Sequence, residues 1–372
     1  MGNLWDGQPD VEPRLLSLDV FRGIVMFCLI AEATGIYDLM ALPAQGTIIN
    51  TIALQFRHHP WNGLRLWDLG QPFFMFISGA AMSLSYTRRW QAGTAWKRTL
   101  VQALRRALIL FALGWGIYLI APAEDGPRMA FLYDVLPQLA VAGLFGFVIL
   151  RLSARIRFII SLGLIAVTES LYRVWGLVSH GRPFAAGDNF GASVDRLILG
   201  NVSPENWVAF NVVPLTALVI WGSLAGRWLK GDPFRVRQVW NLSYWGLGGL
   251  AAGLALSLYT PIIRRIATSS FVLISGGAGL LALALAGWLV DIAKVGRRAN
   301  IFRAIGVNSI FIYLFAQIGG AGWLRRLIVP FAGVVVGGST SYSAELVAAL
   351  VTQALMCGLC YDLFRRKIRI RI

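Results

Sequence analysis

The stretch ALILFALGWGIYLI, residues 107–120, contains no charged side chain and directly follows Arg105 and Arg106. With its flanking residues it predicts a membrane helix over 105–121, because such a run can cross the hydrocarbon core while arginines at its end reach the interface. Similar runs recur along the 372 residues. They are continuous rather than alternating, as barrel strands would be, so we predict an all-α, polytopic membrane helical bundle.

Composition points to the same fold class. The chain is 57% hydrophobic and 14% charged, with a mean hydropathy of +0.64, whereas about 25% of the residues of a soluble domain are charged. We expect a single transmembrane domain over residues 1–372, with about ten membrane helices. The predicted spans are 18–40, 66–87, 105–121, 131–151, 157–178, 206–228, 239–260, 270–291, 304–321 and 344–364.

The net charge of +16 would suggest a nucleic-acid partner in a soluble protein. Most of the 34 Lys and Arg residues, however, fall on one set of alternate loops between the apolar runs, as the positive-inside rule describes. We therefore exclude nucleic acid, take the lipid bilayer as a partner and predict cytoplasmic N- and C-termini. The polar, acidic start without a cleavable signal and the loop-poor layout favour a bacterial inner (plasma) membrane.

The strongest chemical signal is RHHPWNG at residues 57–63, which holds two of the chain's three histidines. Histidine exchanges protons near neutral pH, so His58 and His59 are candidates for acid–base chemistry in an external loop. The Asn62 amide suits a developing oxyanion, and Trp61 belongs either to the interfacial belt or to a substrate platform. Adjacent histidines without a third ligand at useful spacing argue against a zinc site.

Two carboxylates accompany these histidines in the sequence. Glu32 lies deep in the predicted first helix and Asp68 lies early in the second. Carboxylates within a membrane are costly and usually functional, and Glu32 has no basic neighbour one turn away on its own helix. Either acid could orient an imidazole and stabilise its cation. A structural hydrogen bond is the alternative.

Further polar residues stand out against the apolar background. Asp19 and Arg22 share a helix face at the cytoplasmic start of the first helix, where they form an ion pair or Arg22 faces a buried anion. Arg264 and Arg265 break the positive-inside pattern at an external helix end. Polar residues in the predicted ninth helix either hold helices together or line a cavity. They are Asn308, Ser309 and Tyr313.

Three motifs follow one another along the chain: SLDVFRG at 17–23, HHPWNGL at 58–64 and DLGQPFFMFISG at 68–79. Together they resemble the heparan-alpha-glucosaminide N-acetyltransferase family and its bacterial relatives. The resemblance implies a multispanning acyltransferase that uses cytosolic acetyl-CoA to acetylate the amine of a terminal glucosamine across the membrane. The family's catalytic histidine stands three residues before the Trp, and this position is His58 rather than His59.

For this reaction we expect His58 to be the general base or the acetyl carrier, oriented by Asp68 or Glu32, with Asn62 as an oxyanion donor. Acetyl-CoA is the expected co-substrate and a carbohydrate the expected acceptor. The predicted donor contacts are Arg22, Asp19, Arg88, Arg89, Arg105, Arg106, Asn308, Ser309 and Tyr313. The predicted acceptor contacts are Trp61, His59, Arg264, Arg265, Thr268 and Ser269.

Two other functions stay open at this point. One is an O-acetyltransferase that acts on an envelope glycan, which has the same fold and donor and differs only in the acceptor atom. Residues 31–34 read AEAT where the lysosomal enzyme has an Asn, and this departure leaves the acceptor sugar open. The other is a secondary transporter or flippase with Glu32 as its midplane carboxylate, although the two halves of the chain show no internal repeat. Dependence on acetyl-CoA separates the transporter from both acyltransferases. A homodimer is also left open.

Overall fold

The computed structural model describes residues 15–42, 47–120, 130–178, 181–229, 234–295, 300–336, 338 and 341–370. This part of the chain is helical, with one strand-like bridge between Phe184 and Asn189. The all-α prediction is confirmed. The helices are α1 (Leu16–Ala33), α2 (Ile36–Ala41), α3 (Ile48–Gln55), α4 (Gly70–Gln91), α5 (Trp96–Ile120), α6 (Val135–Ile149), α7 (Ala154–Val178), α8 (Phe190–Leu199), α9 (Val212–Trp228), α10 (Val236–Leu256), α11 (Ser269–Gly287), α12 (Asn300–Val307), α13 (Ser309–Gln317), α14 (Gly320–Val336) and α15 (Tyr342–Arg365).

Five helices of the described part are long and apolar enough to cross a membrane. They are α5, α7, α9 with the preceding 3₁₀ turn, α11 with its π-helical extension, and α15. A sixth exists if α13 and α14, which meet at a bend of 70°, form one span. The chain is therefore an integral membrane protein. Every predicted span overlaps a helix, but the count of about ten is not confirmed.

Helix α14 was not predicted from the sequence, because Arg325, Arg326 and Pro330 interrupt its apolar pattern. In the structure Arg325 connects α14 to two neighbouring segments. Its guanidinium pairs with Glu345 on α15, and Nη1 donates to the carbonyl oxygen of Thr34, 3.0 Å away. These bonds fasten α14 to the start of α15 and the end of α1.

Glycines set the closest helix crossings. A Cβ on Gly79 would overlap the backbone of α9, and one on Gly222 would overlap the backbone of α4. Gly277 on α11 likewise lies against Gly246 on α10. Without a hydrophobic force between helices in lipid, such backbone approach supplies much of the association energy.

Helix α1 ends where the candidate site begins. Gly35 has a φ of 77°, in the left-handed region that favours glycine, and it turns the chain from α1 into α2. The chain then passes through α3, an irregular loop and a 3₁₀ turn at Leu66–Leu69 before α4. This path brings the end of α1 beside the loop that contains His58.

We expect Gly222→Ala to destabilise the protein by about 1–3 kcal/mol, because α4 and α9 must move apart to accept the methyl group. Thermal unfolding of the detergent-purified protein measures this as a lower midpoint. Gly163→Ala on α7 is the matched control, since nothing lies within 4 Å of the position its Cβ would take. The control should unfold at the wild-type temperature or above it. Equal midpoints for the two variants would contradict the packing argument.

Candidate active site

Asp68 is the buried centre of the site. It occupies the 3₁₀ turn that precedes α4, its side chain is 0% exposed, and its Oδ2 accepts the backbone N–H of Arg65 at 2.8 Å. The backbone N–H of His59 also donates to this carboxylate, at 3.3 Å. These two backbone donors, both from the loop that precedes α4, thus hold the carboxylate in one orientation without the help of a side chain.

His58 makes one hydrogen bond through each ring nitrogen. Its Nδ1 lies 3.2 Å from Asp68 Oδ1, and its Nε2 lies 3.1 Å from Nη1 of Arg264. A guanidinium only donates, so the neutral imidazole must accept through Nε2 and carry its proton on Nδ1. Asp68 and Arg264 therefore select the tautomer whose basic lone pair is on Nε2. This is the tautomer that a general base needs.

The charge of Asp68 suits this role. Burial alone would raise the pKa of Asp68, but hydrogen bonds from His58 and the Arg65 backbone N–H and the positive charge of Arg264 outweigh it. The pKa of Asp68 therefore lies below its ordinary value, and the carboxylate is ionised at neutral pH. An ionised partner on Nδ1 stabilises the imidazolium that forms when Nε2 takes up a proton.

Arg264 is held against this pair from the loop between α10 and α11. Its Nε lies 3.4 Å from Asp68 Oδ1, and its Cζ lies 4.3 Å from the centre of the Trp207 ring. Burial lowers the pKa of Arg264 to about 10, although Asp68 opposes the shift. The guanidinium is still charged at neutral pH. The sequence singled out Arg264 by its break with the positive-inside pattern, and the structure places its guanidinium on Nε2 of His58.

Two chain segments about 200 residues apart are joined beside the site. Asn62 Oδ1 accepts the backbone N–H of Ile262 at 3.1 Å, and the N–H of Gly63 donates to the Ile262 carbonyl at 2.9 Å. Thr268 Oγ1 accepts from Ile263 N and donates to the carbonyl of Pro261. In this structure Asn62 and Thr268 therefore shape the loop that carries Arg264. The oxyanion role of Asn62 stays a prediction.

Sequence reasoning missed Glu169, which anchors the same loop to α7. Its carboxylate accepts from Thr260 Oγ1 at 2.6 Å, Ser269 Oγ at 2.7 Å and Arg173 Nε at 2.7 Å. Ser269, predicted to contact the acceptor, is thus occupied by a structural bond. The available signal was an acid inside an apolar helix with Arg173 one turn later.

A cavity of about 330 Å³ opens beside His58. Its lining residues are Glu32, Tyr37, Asp38, Phe56, Arg57, His58 and Arg65. Glu32 Oε1 lies 3.6 Å from His58 Nε2, but Glu32 is the penultimate residue of α1 and its side chain is 43% exposed, so the prediction that it lies deep in the helix is wrong. The rings of Tyr37 and Phe56 stack 4.4 Å apart, and Arg57 pairs with Asp38 at 2.7 Å. Sequence reasoning did not identify these four residues.

The other predicted acceptor contacts lie outside the cavity lining. Trp61 Nε1 donates to the Phe184 carbonyl at 3.1 Å, and Nη1 of Arg265 donates to the Glu205 carbonyl. The ring of His59 packs against Gly63, whose φ of 151° and lack of a side chain make room for it. These contacts stabilise the loops around His58, and an acceptor role for Trp61, His59 and Arg265 remains a prediction.

The predicted donor contacts are not among the residues that line the cavity beside His58. Asp19 and Arg22 form the expected ion pair, at 3.7 Å. Asn308, where α13 begins, accepts the backbone N–H of Ile370 at 3.2 Å, and Tyr313 donates to Asp134 at 2.9 Å. The four predicted basic contacts lie on α4 (Arg88, Arg89) and on α5 (Arg105, Arg106). Ser309 is the first residue of α13.

We expect Asp68→Asn to destabilise the fold by about 3–5 kcal/mol, because it leaves Arg264 buried without its counterion. Thermal unfolding in detergent measures the loss. Asp38→Asn removes an exposed partner of Arg57 and should cost about 1 kcal/mol or less. A stability loss as small for Asp68→Asn as for Asp38→Asn would overturn the assignment of Asp68 as the centre of the site.

Comparison of wild type with Asp68→Asn also gives a prediction for the pH dependence of stability. A lowered folded-state pKa stabilises the fold above the unfolded-state pKa, about 3.9 for Asp, and this stability is lost as the pH falls through the folded-state value. The stability gap between wild type and Asp68→Asn should therefore shrink as the pH falls below about 4. Unfolding midpoints measured from about pH 5 downwards test this, and a gap that widens below about pH 4 would contradict it.

Comparison with known proteins finds similarity over part of the chain. No protein-family model matches it. The chain is 32% identical over 102 residues to heparan-alpha-glucosaminide N-acetyltransferase from Homo sapiens and 30% identical over 103 residues to the protein of that name from Mus musculus. Each match covers 27% of this chain and 13% of the mammalian protein. Over about a quarter of its length, the chain is thus similar to a mammalian N-acetyltransferase.

Proposed function

We propose that this protein is a transmembrane acetyltransferase that moves an acetyl group from cytosolic acetyl-CoA to an amino sugar on the opposite side of the membrane. The observation that carries the proposal is the placement of His58 beside the cavity that Glu32 lines, with Nδ1 3.2 Å from buried Asp68 and Nε2 3.1 Å from Nη1 of Arg264. The partial similarity to N-acetyltransferases supports the reaction class.

The chemistry follows from the position of Nε2. An acceptor that enters as an ammonium first gives one proton to solvent. The neutral amine then displaces the Arg264 N–H from the single lone pair of His58 Nε2 and passes a proton to this nitrogen, while its own lone pair attacks the thioester carbonyl carbon. Asp68 stabilises the imidazolium through Nδ1. The tetrahedral intermediate then expels the thiolate, which takes up the proton from Nε2. In the alternative, His58 itself attacks and carries the acetyl group to the acceptor.

The cavity favours an amine over a hydroxyl acceptor. Of its two carboxylates, Asp38 is neutralised by Arg57 at 2.7 Å, whereas Glu32 faces the base nitrogen and attracts an ammonium group to it. The stacked Tyr37 and Phe56 present an aromatic wall against which a sugar ring can pack. A volume of about 330 Å³ is at the small end of ligand cavities, which suits one terminal sugar unit.

The donor would reach the site from the opposite end of the bundle. Basic residues on α4 and α5, with Arg22 on α1, supply the charge that phosphates require. We propose a single domain of about ten spans in a bacterial inner membrane with both termini in the cytoplasm. This layout lets the acetyl group cross the membrane while donor and acceptor remain on their own sides.

One observation favours a second candidate, a secondary transporter. The 70° bend between α13 and α14 resembles the interrupted helices that line transporter sites, and Glu32 would be its coupling carboxylate. A transporter needs no thioester, so binding and turnover of acetyl-CoA separate the two proposals.

The deciding experiment measures transfer from radiolabelled acetyl-CoA to glucosamine by the purified full-length protein. His58→Ala should lose about 10²–10⁴-fold in turnover, because the general base is removed. His59→Ala should retain most of the activity, since its ring lies outside the cavity lining. Wild-type protein that neither binds nor consumes acetyl-CoA would refute the enzyme and favour the transporter.

Acceptor choice gives a separate prediction. Glu32→Gln should raise KM for glucosamine by about 10- to 150-fold, the equivalent of a charged hydrogen bond of about 1.5–3 kcal/mol. Initial rates across acceptor concentrations measure this. Asp38→Asn is the control at the same cavity and should change KM less, because Asp38 is already paired with Arg57. A KM that is unchanged in Glu32→Gln would remove the basis for an amine acceptor.

A further inference from the structure

We propose that Arg264 is a catalytic residue whose guanidinium passes from the base nitrogen of His58 to the oxyanion of the tetrahedral intermediate. The inference rests on the proposed acyl transfer and adds the group that stabilises its transition state. It assigns to Arg264 a role beyond the acceptor contact expected from the sequence.

The geometry places the guanidinium where the reaction must occur. Nη1 lies 3.1 Å from His58 Nε2, and Nε lies 3.4 Å from Asp68 Oδ1. The side chain is almost fully buried, and its planar head stacks on Trp207 at 4.3 Å. Arg264 therefore occupies the position next to Nε2 that an acceptor nitrogen and the thioester carbonyl need to approach.

Proton transfer changes what this contact can be. In the resting site Nε2 accepts from Nη1, and the pair is a normal hydrogen bond. An imidazole nitrogen has one lone pair, so the acceptor N–H must displace Nη1 from Nε2 before its proton can transfer, and the Arg264 N–H group then loses its acceptor. Once Nε2 carries the proton, two donors and two positive charges face each other, which keeps Arg264 from returning. Asp68 Oδ1 still holds the Nε side of the guanidinium, so the head can turn without leaving the site.

The oxyanion supplies the missing acceptor at that moment. The attacking nitrogen is within hydrogen-bond reach of Nε2, about 3 Å away, and the carbonyl carbon is one bond beyond it. The new negative oxygen consequently forms beside the guanidinium. A charged donor that is almost fully buried and stays paired with Asp68 stabilises such an oxygen strongly. Binding of the acceptor at Nε2 thus releases the Arg264 N–H group, and attack by the acceptor creates the next partner of this group.

The bond changes balance without any further reactant. The acceptor nitrogen forms a bond to the carbonyl carbon, the C=O π pair moves onto oxygen, and the proton moves from nitrogen to His58 Nε2. The oxygen pair then re-forms the carbonyl, the C–S pair leaves on sulfur, and the proton on Nε2 passes to that thiolate. Arg264 makes and breaks only hydrogen bonds, and the products are an amide and free CoA thiol.

Several charged groups face Arg264, and they explain why it stays in place. Asp68 and Glu32 attract it, whereas Arg265 repels it, and Glu205 lies near enough to attract it as well. A purely structural role, as the counterion of Asp68, would use the same contacts. The two roles differ in what they do to turnover of folded protein, and this difference defines the test.

The test compares Arg264→Gln, Arg264→Lys and Arg264→Ala in full-length protein with acetyl-CoA and glucosamine. We expect Arg264→Gln to lower kcat by about 10²–10³-fold, the loss seen when an oxyanion donor is removed, with little change in either KM. Arg264→Lys should lose less, because it keeps a charged N–H donor. Added guanidinium ion should restore part of the kcat of Arg264→Ala.

Arg196→Gln is the matched control, since Arg196 is an exposed arginine on α8 that donates to the Gly187 carbonyl. It should turn over as wild type. Unfolding midpoints and acetyl-CoA binding check that each variant is folded. Folded Arg264→Gln with a wild-type kcat, or Arg264→Ala that guanidinium does not rescue, would overturn the inference while His58→Ala still shows the reaction to be real. Wild-type protein without any transfer would instead refute the proposed function.

Discussion

The site depends on one buried, fully enclosed carboxylate. Asp68 accepts backbone N–H groups from Arg65 and His59, holds the proton side of His58 and balances the charge of Arg264. A buried anion is tolerated only when such donors replace the water it has lost. The need to satisfy Asp68 therefore fixes the conformation of the His58 loop and the direction in which the imidazole presents its lone pair.

The site also requires that the loop between α10 and α11, which is distant in sequence, lie against Asp68 and His58. Arg264 is contributed by the connection between α10 and α11, which bonds to the His58 loop through Asn62 and to α7 through Glu169. Close glycine crossings such as Gly222 against α4 make the bundle rigid enough to keep these loops in register. Packing of the helices within the bundle and hydrogen bonds between the loops at its end thus together determine the positions of His58 and Arg264.

Particular residues show how far sequence reasoning reaches. The isolated charges in an apolar chain are conspicuous, so Glu32, Asp68 and Arg264 could be selected from their cost in a membrane or their break with charge asymmetry. Tyr37 and Phe56 could not, because aromatic residues are common near interfaces and only their mutual stacking at the cavity distinguishes them. Helix α14 was not predicted because two arginines and a proline interrupt the apolar pattern of its sequence.

The sequence by itself determined the class of molecule and the segment to inspect first: long, continuous apolar runs indicate membrane helices, and residues 57–63 hold two of the three histidines, of which the family resemblance selects His58. Only the tertiary structure decided which nitrogen of His58 is basic and what faces it. Those properties depend on Asp68 Oδ1 and Arg264 Nη1 being within about 3 Å of one ring. Positions 58 and 264 are brought together by packing of helices from opposite halves of the chain, and no local pattern encodes that distance.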